Sequence, residues 1–447
     1  MDQQITDRKI TRRAFQRAAV GVTAITATGV MAACGAGTAA PRAERKAVSV
    51  EYWSRWGGAN KTDPVDVKRL PEFDQKHAPT KVTRTPFVGN HTDFLQKMTV
   101  SFAGGTAPDV FTVGTPGIPL FGKQGSLLSV EKYPAVKKEL ADFFAPVQEL
   151  GRYKGTLYGL NYFIDMGVTQ YRKDLLAQEG LPNDRKSLPK TWDQFREVAR
   201  KLVKWEGGTM TRIGFNVPRT DDKMFLTAVN QLGKGLFNKE GTRAEFGGAE
   251  GERALQMFVD FVHKDRVDAL GDQRPKLPPG LNILGTGLAG ISHGSPEGLA
   301  TFATAGLDPK ALIVTDFTPE WTGKTTATGY LGGTWAMANK ATKNPDEAVD
   351  VLLFLTTPEH NLAIGEATYT VVSRKSQDKS SVAQDPIMRP YYEALEKAWS
   401  LPQITEIDDI RNNIRTMLAE AVDQKKSVKE ALANMVQYAN TKLATSG

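Results

Sequence analysis

TDFLQKMTVSFAGGTAPDVFTV, residues 92–113, reads as one helix, one stop and one strand. Phe94, Leu95, Met98 and Phe102 recur at the spacing that lines one face of a helix, so Thr92 stands at the head of an amphipathic segment. Gly104 and Gly105 end it, because consecutive glycines lower helix propensity and allow the backbone to turn away. APDVFTV then supplies the apolar and β-branched residues of a short strand. Upstream, VSVEYW at 48–53 sets Val48, Val50 and Tyr52 in alternation with Ser49 and Glu51, a period of two. Strand, helix, strand is the grammar of βαβ units, so an α/β fold with parallel sheets is expected.

The pattern continues along the chain. Thr191 and Gln194 form a capping box at the head of TWDQFREVARKLVKW, followed by Phe195, Val198, Ala199, Leu202 and Val203 at helical spacing. Ile410, Ile414, Met417, Leu418 and Ala421 mark an amphipathic helix near the end. Ser427 and Glu430 cap a second, with Ala431, Leu432, Met435 and Val436 on its inner face. Both are expected to be core. QRPKLPPG at 273–280 reads as a loop, and no internal repeat is present.

At the other end, RKITRRAFQRAAVGVTAITATGVMAAC, residues 8–34, has a basic start, a weakly apolar middle and small residues before Cys34. This is the three-part plan of an export signal, too short and too rich in Gly, Ala and Thr to span a membrane. Arg12 and Arg13 with Phe15 resemble a twin-arginine signal. MAAC resembles the lipobox of bacterial lipoproteins, with Met31 where leucine is usual, so Cys34 is expected to be lipidated. It is the only cysteine, which leaves no disulfide framework. Residues 1–33 are thus the signal, 34–47 a small and polar tether, and folded structure is expected from Val48.

About 410 residues remain, enough for two lobes and too many for one core. A 40% apolar content with seven Trp and 20 Phe makes them globular. Of the net charge of +7, the signal carries +3 through Arg8, Lys9, Arg12, Arg13 and Arg17 against Asp2 and Asp7, leaving +4 on a chain without a dense basic block. Nucleic acid is therefore not an expected partner. GTGLAG at 285–290 matches a dinucleotide fingerprint, but Gly294, Ser295 and Pro296 interrupt where a long helix should follow. The histidines are scattered, so neither a metal site nor a cofactor is expected. Hydrolase elbows and phosphate loops are absent. Asp221 with Asp222, and Asp408 with Asp409, are neighbours that point in different directions and cannot flank one glycosidic bond.

The order of segments then carries a resemblance. A lipoprotein-type signal is followed by a strand ending in aromatics, GGTAPDVFTV, GTLYGLNYFIDMGVTQYRKDLLAQEGL, TWDQFREVARKL, GLAGISHGSPEG, GYLGGTWAMANKATKNPDEAVDVLLFLTTPE and a helical pair. Over residues 48–445 the chain resembles the extracellular solute-binding proteins that serve ABC importers, the maltose-binding-protein-like group. The resemblance implies a two-lobed α/β periplasmic-binding-protein fold of type II, with the ligand cleft between the lobes. It implies an N-terminal lobe of 48–163 plus 317–367 and a C-terminal lobe of 165–314 plus 370–447. The hinge segments are then Phe163–Asp165, Val314–Phe317 and Ala367–Thr370. The implied partners are a carbohydrate ligand, ABC transporter membrane permease subunits and a lipid anchor on the outer face of the cytoplasmic membrane, for a monomer without catalysis.

By the same resemblance the ligand contacts are Ser54, Arg55 and Trp56 after the first strand, Thr112 and Thr115, and Tyr162 as a stacking partner beside Asp165 as hydroxyl acceptor. His293 and Ser295, Tyr330, the backbone of Gly332 and Gly333, Trp335, Tyr369 and Trp399 complete the set. Trp53 lies nearer the sheet and Asp109 braces a turn, while Trp192, Trp205 and Trp321 are structural or surface residues. Three alternatives stand beside this reading. One is an exported carbohydrate-active enzyme. A second is a binder of a sugar acid or polyol phosphate, if Arg55, His293 and Arg374 converge. The third is a docking or signalling subunit.

Overall fold

A computed structural model describes residues 47–57, 62–233, 235–302, 305–322 and 329–445. The basic start, the paired arginines and Cys34 lie outside the described residues. Among the described residues no helix is long and apolar enough to cross a membrane.

One mixed sheet of ten strands organises the fold. Its strands are β1 (Ser49–Ser54), β2 (Lys81–Pro86), β3 (Val110–Gly114), β4 (Gly159–Arg172), β5 (Lys204–Glu206), β6 (Thr209–Phe215), β7 (Ala289–Gly294), β8 (Leu312–Val314), β9 (Tyr330–Ala338) and β10 (Trp399–Ser400). The order is β2-β1-β3-β9-β4-β7-β6-β5, with β8 beside β4 and β10 beside β9. β1 runs parallel to β2 and β3, and β6 parallel to β7, as βαβ grammar requires. β9 instead pairs antiparallel with both β3 and β4, so the sheet is mixed where parallel pairing was expected throughout.

β4 is long enough to serve two neighbourhoods. Gly159 to Gly167 pair with β9, and Val168 to Arg172 pair with β7 and β8. The chain therefore changes partners between Gly167 and Val168, shortly after Asp165. The GTGLAG pattern leads into β7 and not into a helix, which removes the geometry a dinucleotide fingerprint needs.

The principal helices are α1 (Thr62–Lys76), α2 (His91–Ala103), α3 (Trp192–Leu202), α4 (Asp222–Asn230), α5 (Gly248–His263), α6 (Pro345–Leu355), α7 (Pro358–Thr368), α8 (Ile407–Val422) and α9 (Val428–Ala444). Both capping boxes form as read, at Thr191 with Gln194 and at Ser427 with Glu430. α2 begins earlier than Thr92 suggests, because the Asn90 side chain accepts from the Asp93 amide and caps it. Its buried face holds Phe94, Leu95 and Met98. α8 and α9 pack into one cluster with Trp192, Phe195, Phe258 and Phe261, so this pair is core. Asp109 takes the Glu51 amide and the Thr342 hydroxyl, the bracing role expected of it.

Under β1, Asp66 of α1 is fully buried and collects four donors. Tyr52 Oη donates at 3.1 Å, Tyr162 Oη at 2.6 Å, His360 Nε2 at 3.1 Å and Arg84 Nε at 3.2 Å. Elements far apart in sequence are tied at one carboxylate.

Gly214 in β6 shows how tightly the helices sit on the sheet. A Cβ there would stand 1.8 Å from the Ala199 carbonyl oxygen of α3, and backbone cannot swing aside as a side chain can. Gly214→Ala is expected to cost about 2 kcal/mol or more, read as a lower urea midpoint at an unchanged slope.

Candidate functional site

The ends of β1, β3 and β7, the crossing strands β4 and β9, and the first turns of α4 and α8 supply one cluster of polar and aromatic side chains. In sheets of this kind the carboxyl ends of parallel strands are where ligands bind, since loops and helix starts converge there.

From β1 come Arg55 and Trp56. Ser54 fixes this turn: its hydroxyl donates to the Trp56 carbonyl at 2.9 Å and accepts the Trp56 amide at 3.3 Å. Arg84 Nη2 donates to the same carbonyl at 2.9 Å, which connects the turn to Asp66. The Arg55 amide donates to Thr112 Oγ1, and its guanidinium carbon lies 3.9 Å from the Trp56 ring centroid. His91, at the start of α2, closes this side. A Cβ on Gly114 would stand 2.7 Å from Arg55 Nη1 and 2.9 Å from His91 Cε1, so glycine is what lets both rest against β3.

Opposite them, Lys223 Nζ donates to Asp165 Oδ2 at 3.1 Å. Its ammonium lies 5.1 Å from the Tyr330 ring centroid, and Arg411 of α8 lies 5.7 Å from the same ring. Trp399 meets Tyr330 edge-on at 5.5 Å. Asp222 is fully buried and holds Arg411 and Arg415, which fixes the first turn of α4 to α8.

The electrostatics follow from crowding charges out of water. Burial lowers the Arg55 pKa to about 10, against the pull of Glu297, Asp165 and Asp408. Burial works against the Lys223 charge too, but Asp165, Asp221 and Tyr330 outweigh it and hold that pKa above its ordinary value. His91 is driven down to about 3 by burial and by Arg55, Arg411 and Arg415, so its ring is neutral. Burial likewise takes His293 to about 4, against the pull of Asp221. Glu297, just past β7, is pushed up to about 7 by burial and the Asp165 charge, with Arg55 and Lys223 opposing.

Glu297 sets a pH dependence. Between 4.5 and about 7 only the folded chain holds its proton, so stability falls as pH rises through that window. Glu297→Gln, permanently neutral, is expected to be more stable than wild type by roughly 1–3 kcal/mol at pH 8 and equal to it near pH 4, read from paired denaturant titrations.

Several buried polar atoms here have no partner among the described residues: Asp165 Oδ1, Trp56 Nε1, both ring nitrogens of His91, and His293 Nε2. Orphaned buried donors and acceptors cost free energy unless something fills them. Together they offer both halves of a hydrogen bond to a solute rich in hydroxyls. Among the described residues no group of His, Cys, Asp or Glu could hold a metal ion.

Of the side chains expected here, Arg55, Trp56, Asp165, Tyr330 and Trp399 fall in the cluster. His293 stands beside it, its Cε1 2.8 Å from where a Gly167 Cβ would be. Gly332 lets Tyr330 lie back along β9, since a Cβ there would meet its hydroxyl at 2.5 Å. Ser54 and Thr112 are fully buried braces, and Thr115 donates through its amide and hydroxyl to the Gly333 carbonyl. The Ser295 carbonyl accepts from Gln170. Tyr369 caps α7 in the left-handed conformation and packs half-buried on the core.

Three expectations are corrected. Tyr162 offers no stacking face: it is fully buried with its hydroxyl on Asp66. Trp335 is fully buried in the core, although its Nε1 lacks a partner among the described residues. Arg374 does not converge with Arg55, because it is buried between the Thr356 carbonyl, Glu139 and the Phe143 ring. His91, Lys223, Glu297 and Arg411 were not singled out from the sequence. Each sits at or near the start of a helical segment, a position that no spacing rule connects to β1 or Asp165.

Residues 59–361 match the family model described as bacterial extracellular solute-binding protein. A mannitol-binding protein of Pseudomonas aeruginosa is 29% identical over 209 residues, 46% of each chain, so the match spans about half of that relative. Among solved structures, the sugar-binding protein MalE of Xanthomonas citri superposes with a TM-score of 0.76 at 20% identity, covering 89% of this chain and 98% of the other. An ABC transporter solute-binding protein of Thermotoga lettingae, bound with α-D-tagatose, gives 0.74 at 20% identity, over 88% and 99%. These likenesses give the chain the two-lobed fold.

Proposed function

Because this chain belongs to the bacterial extracellular solute-binding protein family, we propose that it captures a sugar or a related polyhydroxylated solute outside the cytoplasm and delivers it to an ABC importer. The observation that carries this reading is the set of buried, unpartnered donors and acceptors around Asp165, beside the point where β4 changes neighbours. A solute with closely spaced hydroxyls satisfies both kinds, and enclosing it removes the cost of leaving them orphaned.

In this reading 48–163 with 317–367 form one lobe and 165–314 with 370–447 the other. Closure turns on Phe163–Asp165, Val314–Phe317 and Ala367–Thr370, a hinge transition whose closed form is what the permease subunits read. Export by the N-terminal signal, a lipid on Cys34 and a monomeric state complete the proposal.

A specific observation favours a rival. Glu297 is held protonated by burial and by the Asp165 charge, as a general acid would be. Lys223 on Asp165 argues against it, because it occupies one of the two oxygens a nucleophile or base would use. A thermal-shift screen against sugars, alditols and sugar acids tests both readings. At 100 times its Kd a ligand stabilises the fold by about 2.7 kcal/mol. A hit recovered unchanged supports capture, and a hit that is broken down supports the enzyme.

A further inference from the structure

The aromatic side chains around the site are committed to other partners. Trp56 carries the Arg55 guanidinium 3.9 Å over its ring centroid, and Phe163 backs it at 5.9 Å. Tyr330 is nearly buried beneath Lys223 and Arg411. Trp399 donates its Nε1 to Thr227 and presses edge-on against Tyr330. The internal segments outside the described residues, 58–61, 234, 303–304 and 323–328, contain no aromatic residue at all.

A pyranose ring presents a flat C–H face, and a site for it covers that face with an aromatic ring. An open-chain polyol has no such face, since no ring holds its C–H bonds on one flat side. What it needs is charged and polar atoms, and Asp165 Oδ1, Trp56 Nε1 and the His91 ring nitrogens are buried with no partner among the described residues.

We infer that the preferred ligand is an open-chain polyol, an alditol, and not a pyranose or an oligosaccharide. This rests on the capture reading and narrows it. Arg55 is then a specificity residue: it occupies an indole face that a sugar ring could stack on, and offers donors to hydroxyls in its place.

Titration calorimetry of the purified protein with D-mannitol, D-glucitol, D-glucose, maltose and maltotriose tests it. At least one alditol is expected to bind tenfold or more tightly than any of the cyclic sugars. Equal or tighter binding of glucose or a maltose oligomer, or no binding by either alditol, would overturn the inference and leave the capture reading to the wider screen of sugars and sugar acids. Arg55→Ala gives a second readout. Uncovering Trp56 is expected to shrink the alditol-to-glucose affinity ratio at least tenfold, and an unchanged ratio would count against the role of Arg55.

Discussion

Asp66→Ala is expected to lower the unfolding free energy by about 3–5 kcal/mol, the range for removing one partner from a buried ionic cluster. Four donors lose their acceptor together, and Arg84 is left with Asp63 and the Trp56 carbonyl. Burial alone would raise the Asp66 pKa, but His360, Arg84 and Tyr162 outweigh it and hold it below 3.8. A carboxylate depressed in the folded state adds stability that is complete above the unfolded value and fades as pH drops through the folded one. Asp66→Asn keeps an acceptor oxygen and loses the charge, so its deficit should be smaller than that of alanine and should shrink below pH 3.8. Denaturant titrations at pH 7 and pH 3 check both statements. Equal stability of wild type and Asp66→Ala at pH 7 would show that the donors find other partners.

Asp165→Ala should reduce affinity for the bound solute about 10- to 150-fold, the equivalent of the roughly 1.5–3 kcal/mol that a hydrogen bond to a charged group contributes. Asp165 lies shortly before β4 passes from β9 to β7, so a ligand held there touches one of the proposed hinge segments. Part of any loss would come from freeing Lys223, and Lys223→Met separates the two effects. If Asp165 only neutralises Lys223, the double variant should bind as well as Lys223→Met. Direct contact with the solute requires the double variant to bind more weakly. Wild-type affinity in Asp165→Ala would remove Asp165 from the site.

Much of the fold was legible because its signals are local. Alternation in β1, the apolar face of α2 and the capping boxes at Thr191 and Ser427 each depend on residues a few positions apart. The antiparallel insertion of β9 between β3 and β4 depends on pairings more than 160 residues apart, which no local pattern encodes.

The site was legible in part, and strand geometry accounts for one of the errors. The pairing of β4 with β9 skips Tyr162 between Asn161 and Phe163, an irregularity that a strict alternation does not foresee, and its hydroxyl goes to Asp66. Phe163, two positions from Asp165, is the residue that lies against Trp56. Trp335 was misread for a different reason: a tryptophan within a strand suits a core as well as a binding platform, and only packing decides. Lys223, Glu297 and Arg411 gain their meaning from the charges brought around them, a property of the folded chain.

The most direct test of capture by closure is small-angle X-ray scattering of the purified protein, without solute and at a saturating concentration of the tightest ligand from the calorimetric panel. Closure predicts a smaller radius of gyration with ligand and a return to the original curve after dialysis. Calorimetric saturation with superimposable scattering curves would contradict it.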